Sequence, residues 1–144
     1  MAYSRQGSRE ARLGETEAEL TLSVPASPDA VTALRRAVRS LDRWFGSAAA
    51  EDVELLVTEL ATNGVKHAAA ERSCDRITLD ARVAPNRLRI AVRDCGKGFE
   101  PESRAAGREQ PGGWGLLLVE DIADRWGIER EPTTTVWFEL ERAA

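Results

Sequence analysis

Lysine is nearly absent: of twenty basic residues only Lys66 and Lys97 are lysine, and the rest are arginine. Beside so much alanine, this matches a GC-rich genome and points to no function. Basic residues are also outnumbered by 24 acidic ones, which leaves a formal net charge of −4. That balance excludes a general nucleic-acid binder, whose domain is normally strongly basic. No apolar run approaches the roughly 20 residues of a membrane span, and the polar N-terminus lacks a signal-peptide apolar region. A cytoplasmic protein without membrane contact is therefore expected. The two cysteines, Cys74 and Cys95, lack metal-type spacing. In a reducing cytoplasm free thiols are the expectation, although a hairpin turning at Pro85-Asn86 would set Cys95 opposite about residue 76, within reach of a disulfide. The single histidine, His67, reads as a packed, hydrogen-bonded side chain rather than a metal ligand or phosphoacceptor, and no chemistry is assigned to it. Neither a Walker A sequence nor a eukaryotic-type kinase signature occurs.

What is present is a chain of 144 residues, 42% hydrophobic and 31% charged, long enough for one domain with a sizeable core. Its organising stretch is Glu51 to Ala70, EDVELLVTELATNGVKHAAA. Val53, Leu56, Val57, Leu60 and Gly64 fall at the spacing of one buried helical face. Glu59 and Asn63 stand four apart beside that face, where a carboxylate and a carboxamide are costly to desolvate without partners.

Residues 1–18 are polar and aperiodic and read as a flexible tail, followed by a domain over 19–144. Glu19 to Val24 alternates like a half-buried strand. Ser27-Pro28-Asp29 then gives an N-cap, a first-turn proline and an acid suited to the helix dipole. The helix behind it buries Val31, Leu34, Val38 and Leu41. Its arginines Arg35, Arg39 and Arg43 form a row at i, i+4, i+8, either a solvated face or a docking surface for an acidic partner. Gly46-Ser47 separates it from the central helix, with Ser47 as N-cap. Ile77–Val83 and Leu88–Val92 read as a hairpin whose second strand runs into Asp94-Cys95-Gly96-Lys97-Gly98. Gly96 and Gly98 let the backbone turn sharply and approach a ligand closely. The polar stretch 99–111 has no period of its own and reads as a lid or binding loop. A second apolar helix follows, with Leu116, Val119, Ile122, Ala123 and Trp126 inward and Gly127 as C-cap. Gly112, Gly113 and Gly115 lie at its N-terminus, where unpaired N–H groups favour an anion. Strands Ile128–Arg130 and Thr135–Arg142 close the chain.

An E-x-x-x-N helix, a D-x-G-x-G turn and a G-x-G helix start, in this order, resemble the three nucleotide-binding boxes of the GHKL (Bergerat-fold) ATPases. Within that superfamily the chain is most similar to the stand-alone bacterial anti-sigma serine/threonine kinases, over roughly residues 19–142. The resemblance implies an α+β fold, a two-layer α/β sandwich whose mixed, mainly antiparallel sheet is covered by helices on one face. It implies ATP and Mg²⁺ as cofactors. Asp94 would accept a hydrogen bond from the adenine amino group, helped by Thr135 through water. Asn63 would offer its amide oxygen to Mg²⁺, and Gly96, Gly98, Gly113, Gly115 and Leu116 would complete the nucleotide site. Glu59 would be the base that deprotonates an attacking hydroxyl, and Arg104 and Arg108 are candidate phosphate contacts in the lid. Where the family carries Gly-Lys-Thr-Val-Trp, this chain has Thr133-Thr134-Thr135-Val136-Trp137, so the glycine is missing.

Gyrase-, MutL- and chaperone-type members need further domains, and a sensor kinase needs an upstream phosphoacceptor histidine; this sequence supplies neither. The resemblance thus points to a kinase acting on a Ser/Thr of an anti-anti-sigma (STAS) protein and sequestering a sigma factor, with room for a homodimer. The alternatives are a non-catalytic ATP-binding regulator acting by sequestration and an ATPase module serving a partner in trans.

Overall fold

The computed structural model describes residues 17–70, 75–95, 113–130 and 133–141. In chain order these form β1 (Ala18–Pro25), α1 (Pro28–Arg39), α2 (Asp42–Phe45), α3 (Ser47–Ala70), β2 (Arg76–Ala84), β3 (Arg87–Asp94), α4 (Gly113–Ile122), β4 (Arg125–Glu129) and β5 (Thr134–Glu141). The five strands make one sheet in the order β1-β2-β3-β5-β4, and all four pairings are antiparallel. Each strand's alternation assigns its two faces. Leu20, Leu22 and Val24 of β1 meet Ala81, Leu79 and Ile77 of β2, and the same face continues through Leu88, Ile90 and Val92 to Val136, Phe138 and Leu140.

Helices α1, α3 and α4 cover that face alone, giving the expected two-layer α+β architecture. The stripe read from the sequence is the one that packs: Val53, Leu56, Val57 and Leu60 of α3 are buried against Leu34 and Val38 of α1 and the strand residues. Phe138 sits fully enclosed at the centre of the sheet, and burial of a side chain of that size stabilises by about 3 kcal/mol. Ser27 caps α1 through its backbone, with Pro28 in the first turn and Asp29 behind it.

The other sheet face carries no described helix and is polar. Thr21 Oγ1 donates to Asp80 Oδ1 at 2.7 Å, and Arg76 Nε donates to Ser23 Oγ at 2.9 Å. Further along, Arg87, Arg89 and Arg125 converge on Glu139, which is 2% exposed. Trp137 lies over Gly127 of β4, directly opposite in register, and the Arg89 guanidinium stands 4.7 Å from its ring centroid.

Four expectations change. First, the second apolar helix ends at Ile122 rather than reaching Trp126, and Gly127 is a strand residue paired with Trp137, not a helix cap. Trp126 still packs on the core, but from β4. Second, the arginine row is broken, because α1 ends at Arg39 and Arg43 belongs to the separate short helix α2, stacked 5.2 Å from the centroid of Trp44. Arg39 itself is held by both Glu54 oxygens at 2.8 and 2.9 Å, which ties α1 to α3. Third, Cys95 is disulfide-bonded rather than a free thiol. The hairpin register explains it: Asp94 pairs with Ile77, so residue 95 falls opposite 76, and the only other cysteine, Cys74, precedes that position in sequence. Fourth, the first strand is longer than the expected Glu19–Val24, running from Ala18 to Pro25, and Glu17 N donates to Val83 O; residues 1–16, expected as a tail, lie outside the described residues.

Candidate functional site

Along α3 the polar residues Glu59, Asn63 and His67 follow one another at intervals of four, so they rise as a single stripe beside the buried face. The threonines next to them spend their hydroxyls on the helix itself. Thr58 Oγ1 donates to Glu54 O and Thr62 Oγ1 to Thr58 O, both at 2.7 Å. Glu59 is half-buried, and its carboxylate makes no hydrogen bond or ion pair with another described residue. Asn63 is 7% exposed and likewise forms no side-chain hydrogen bond within the described residues. Neither of its amide atoms is fully enclosed, so water or a small ligand can reach them.

Asp94 closes β3 and is 6% exposed. It shares the helix-covered face with the residues directly opposite it, Ile77 on β2 and Thr134 on β5. Helix α3 reaches this strand end at Gly64. A Cβ on Gly64 would lie 3.1 Å from Ile77 Cδ1 and 3.7 Å from Asp94 Oδ2, so the bare backbone permits the approach. One turn on, His67 Nδ1 stands 3.8 Å from the same Oδ2. Gly64 and His67 are thereby brought close to the Asp94 carboxylate, and Asn63 precedes Gly64 on the same turn of α3.

Thr135 is not brought there. It stands opposite Arg93 on the polar face, while Thr134, 1% exposed, stands opposite Asp94. Sequence reasoning missed this, yet the signal was present. Val136 and Phe138 point inward, and Thr134 shares their parity. His67, read from the sequence as a packed side chain without chemistry, continues the spacing that joins Glu59 to Asn63.

Gly113, Gly115 and Leu116 form the first turn of α4, which packs on α3. The first turn of a helix presents N–H groups without intrahelical partners and the positive end of the dipole. Gly96, Gly98, the stretch 99–111 and Arg104 and Arg108 lie outside the described residues. Among the described residues no group of three or more His, Cys, Asp or Glu side chains could hold a metal ion. Mg²⁺ commonly keeps most of its ligands as water and phosphate and takes few from protein, so a single amide oxygen such as that of Asn63 is chemically compatible with it. A neutral amide oxygen that a ligand can reach is of the type that role needs.

The family described as the histidine kinase-like ATPase domain matches residues 24–140. The serine-protein kinase RsbW of Listeria innocua is 30% identical over 119 residues, spanning 74% of this chain and 76% of that protein. RsbW of Bacillus subtilis is 26% identical over 130 residues, covering 81% of each chain. Among solved structures, a chain of the SiaB–SiaC complex from Pseudomonas aeruginosa superposes with a TM-score of 0.60 at 13% identity, over 96% of this chain and 98% of that one. The histidine kinase domain of the Erythrobacter litoralis EL346 blue-light activated histidine kinase gives 0.53 at 21% identity, over 81% of this chain and 61% of that one. Both likenesses concern the fold.

Proposed function

Since the chain belongs to the histidine kinase-like ATPase domain family, alongside the RsbW serine-protein kinases, we propose that it binds Mg-ATP and transfers the γ-phosphate to a serine or threonine of a separate protein. The substrate is a STAS-domain anti-anti-sigma protein, and the kinase holds a sigma factor when that substrate is absent or phosphorylated. Its place of action is the cytoplasm. The observation that carries this reading is the α3 stripe, in which a half-buried Glu59 without a described partner stands one turn from the buried amide of Asn63, beside Asp94.

In this reading Asp94 accepts a hydrogen bond from the adenine amino group, with Thr134 in place of Thr135 as the neighbouring hydroxyl. Asn63 supplies an oxygen to Mg²⁺, which when bound neutralises phosphate charge. Gly96, Gly98, Gly113, Gly115 and Leu116 line the nucleotide, with the α4 N-terminus favouring its phosphates. Glu59 takes the proton from the attacking hydroxyl. Phosphoryl transfer depends mainly on such positioning and charge neutralisation, so few side chains suffice.

The test separates the two α3 residues. A group that binds ground and transition states alike sets affinity, while one used only in the transition state sets turnover. Asn63→Ala should therefore lose Mg-ATP affinity and activity together. Glu59→Ala should bind nucleotide like the wild type and phosphorylate a STAS partner roughly 10²–10⁴-fold more slowly in single turnover. Transfer at the wild-type rate by Glu59→Ala would remove the base and leave the non-catalytic regulator, an ATP-binding protein that acts by sequestration.

A further inference from the structure

We propose that His67 is a positioning residue for Asp94, holding one carboxylate oxygen so that the other meets the exocyclic amino group of the bound purine. The proposal rests on the reading of Asp94 as the purine acceptor and adds a residue to it. Two groups of α3 close on Oδ2 of Asp94: His67 Nδ1 at 3.8 Å and the position of a Gly64 Cβ at 3.7 Å. A carboxyl group turns readily about its last torsion, which is broad and two-fold rather than locked in a narrow well. A buried Asp94 with an imidazole against one oxygen loses part of that freedom before ligand arrives.

His67 is placed for this by helix geometry. It lies four residues after Asn63 and eight after Glu59, so one rigid element of 24 residues carries the magnesium-side amide, the base and the purine-side imidazole. At 3.8 Å the ring is beyond hydrogen-bond distance in this structure, and its influence on Asp94 is that of a neighbouring dipole or charge and a steric stop. Apo geometry of this kind commonly tightens when ligand binds. Discrimination is the property at stake. A site built to accept an N–H rejects a base lacking it more strongly the better its acceptor is oriented.

The experiment measures binding of ATP and of purine riboside triphosphate, which lacks the 6-amino group, by titration calorimetry on the full chain. Wild type should prefer ATP, and Asp94→Asn should abolish the preference. His67→Ala should reduce the preference by about fivefold, the worth of roughly one net hydrogen bond, with affinity for the 6-desamino ligand unchanged. His67→Asn, whose side-chain amide nitrogen can occupy the place of Nδ1, should restore most of it, and serves also if the alanine variant fails to fold. His67→Ala combined with Asp94→Asn should be no worse than Asp94→Asn alone. A wild type indifferent to the 6-amino group overturns the Asp94 assignment and the proposal with it. A preference erased by Asp94→Asn but untouched by His67→Ala, or a His67→Ala that weakens both ligands equally, overturns the positioning role and leaves Asp94 standing.

Discussion

Thr134 and Thr135 are neighbours in sequence but stand on opposite faces of the sheet. Thr134 faces the helices and Asp94; Thr135 faces the polar side with Arg93. Replacing Thr134 by valine removes a hydroxyl while keeping shape, and one net hydrogen bond is worth about 1 kcal/mol. Thr134→Val should thus weaken ATP binding by about fivefold. Thr135→Val should leave it unchanged in the same titration. The reverse pattern would restore Thr135 to the site. At this scale the sequence was legible for placement: Glu59 and Asn63 lie on one side of α3, and Asp94 closes β3. It was ambiguous where three identical residues run together, because type cannot choose among Thr133, Thr134 and Thr135. Cys95 was ambiguous for a different reason. The hairpin register was readable, but the redox expectation outweighed it, and the bond is present.

Among the elements, α3 and the β2–β3 hairpin were the most legible, since a long apolar period and a Pro-Asn turn each leave one reading. Helix α4 and strand β4 were not. Val119, Ile122, Ala123 and Trp126 continue a helical period, while Trp126 and Ile128 begin a strand period, and Trp126 satisfies both. What decides is the pairing with β5, where Asp124 N donates to Glu139 O and Gly127 faces Trp137. A Cβ at Gly127 would come within 2.8 Å of three Trp137 ring atoms. Gly127→Ala must therefore displace the indole, at a cost of about 1–3 kcal/mol for such overpacking. Chemical denaturation should show that loss, with a changed near-ultraviolet tryptophan signal. An unperturbed spectrum would mean the ring does not rest on Gly127. The arginine row misled for a related reason: side-chain spacing alone does not reveal that α1 stops at Arg39, or that Glu54 claims this residue.

For the molecule as a whole, the polar sheet face sets a pH response. Burial pushes the Glu139 carboxyl from 4.5 up to about 7. The guanidinium groups of Arg87 and Arg125 pull the other way, but their side chains are 36% and 49% exposed and their charges are screened by water. Burial also shifts the Arg89 guanidinium downward, although it stays protonated throughout the working pH range. A carboxyl raised on folding binds its proton more tightly in the native state. Its contribution is fully present below pH 4.5 and is lost as pH rises through about 7. Glu139→Gln should flatten this part of the stability profile and melt roughly 2–4 °C above wild type at pH 8, the shift expected for about 1 kcal/mol in a domain of this size. Parallel melts at pH 4.5 and pH 8 that show no difference in slope would mean the arginines prevail. The face to which each residue belongs has a further consequence, for how this chain can change in length. Adding or removing one residue within β3 or β5 would exchange the side that holds Asp94 and Thr134 for the side that holds the arginines. Two residues would restore the side but move the partners one step along the ladder. Viable insertions and deletions are thereby confined to the connections between strands, and a gap placed inside either strand when aligning such chains marks a misplaced alignment rather than an ancestral event.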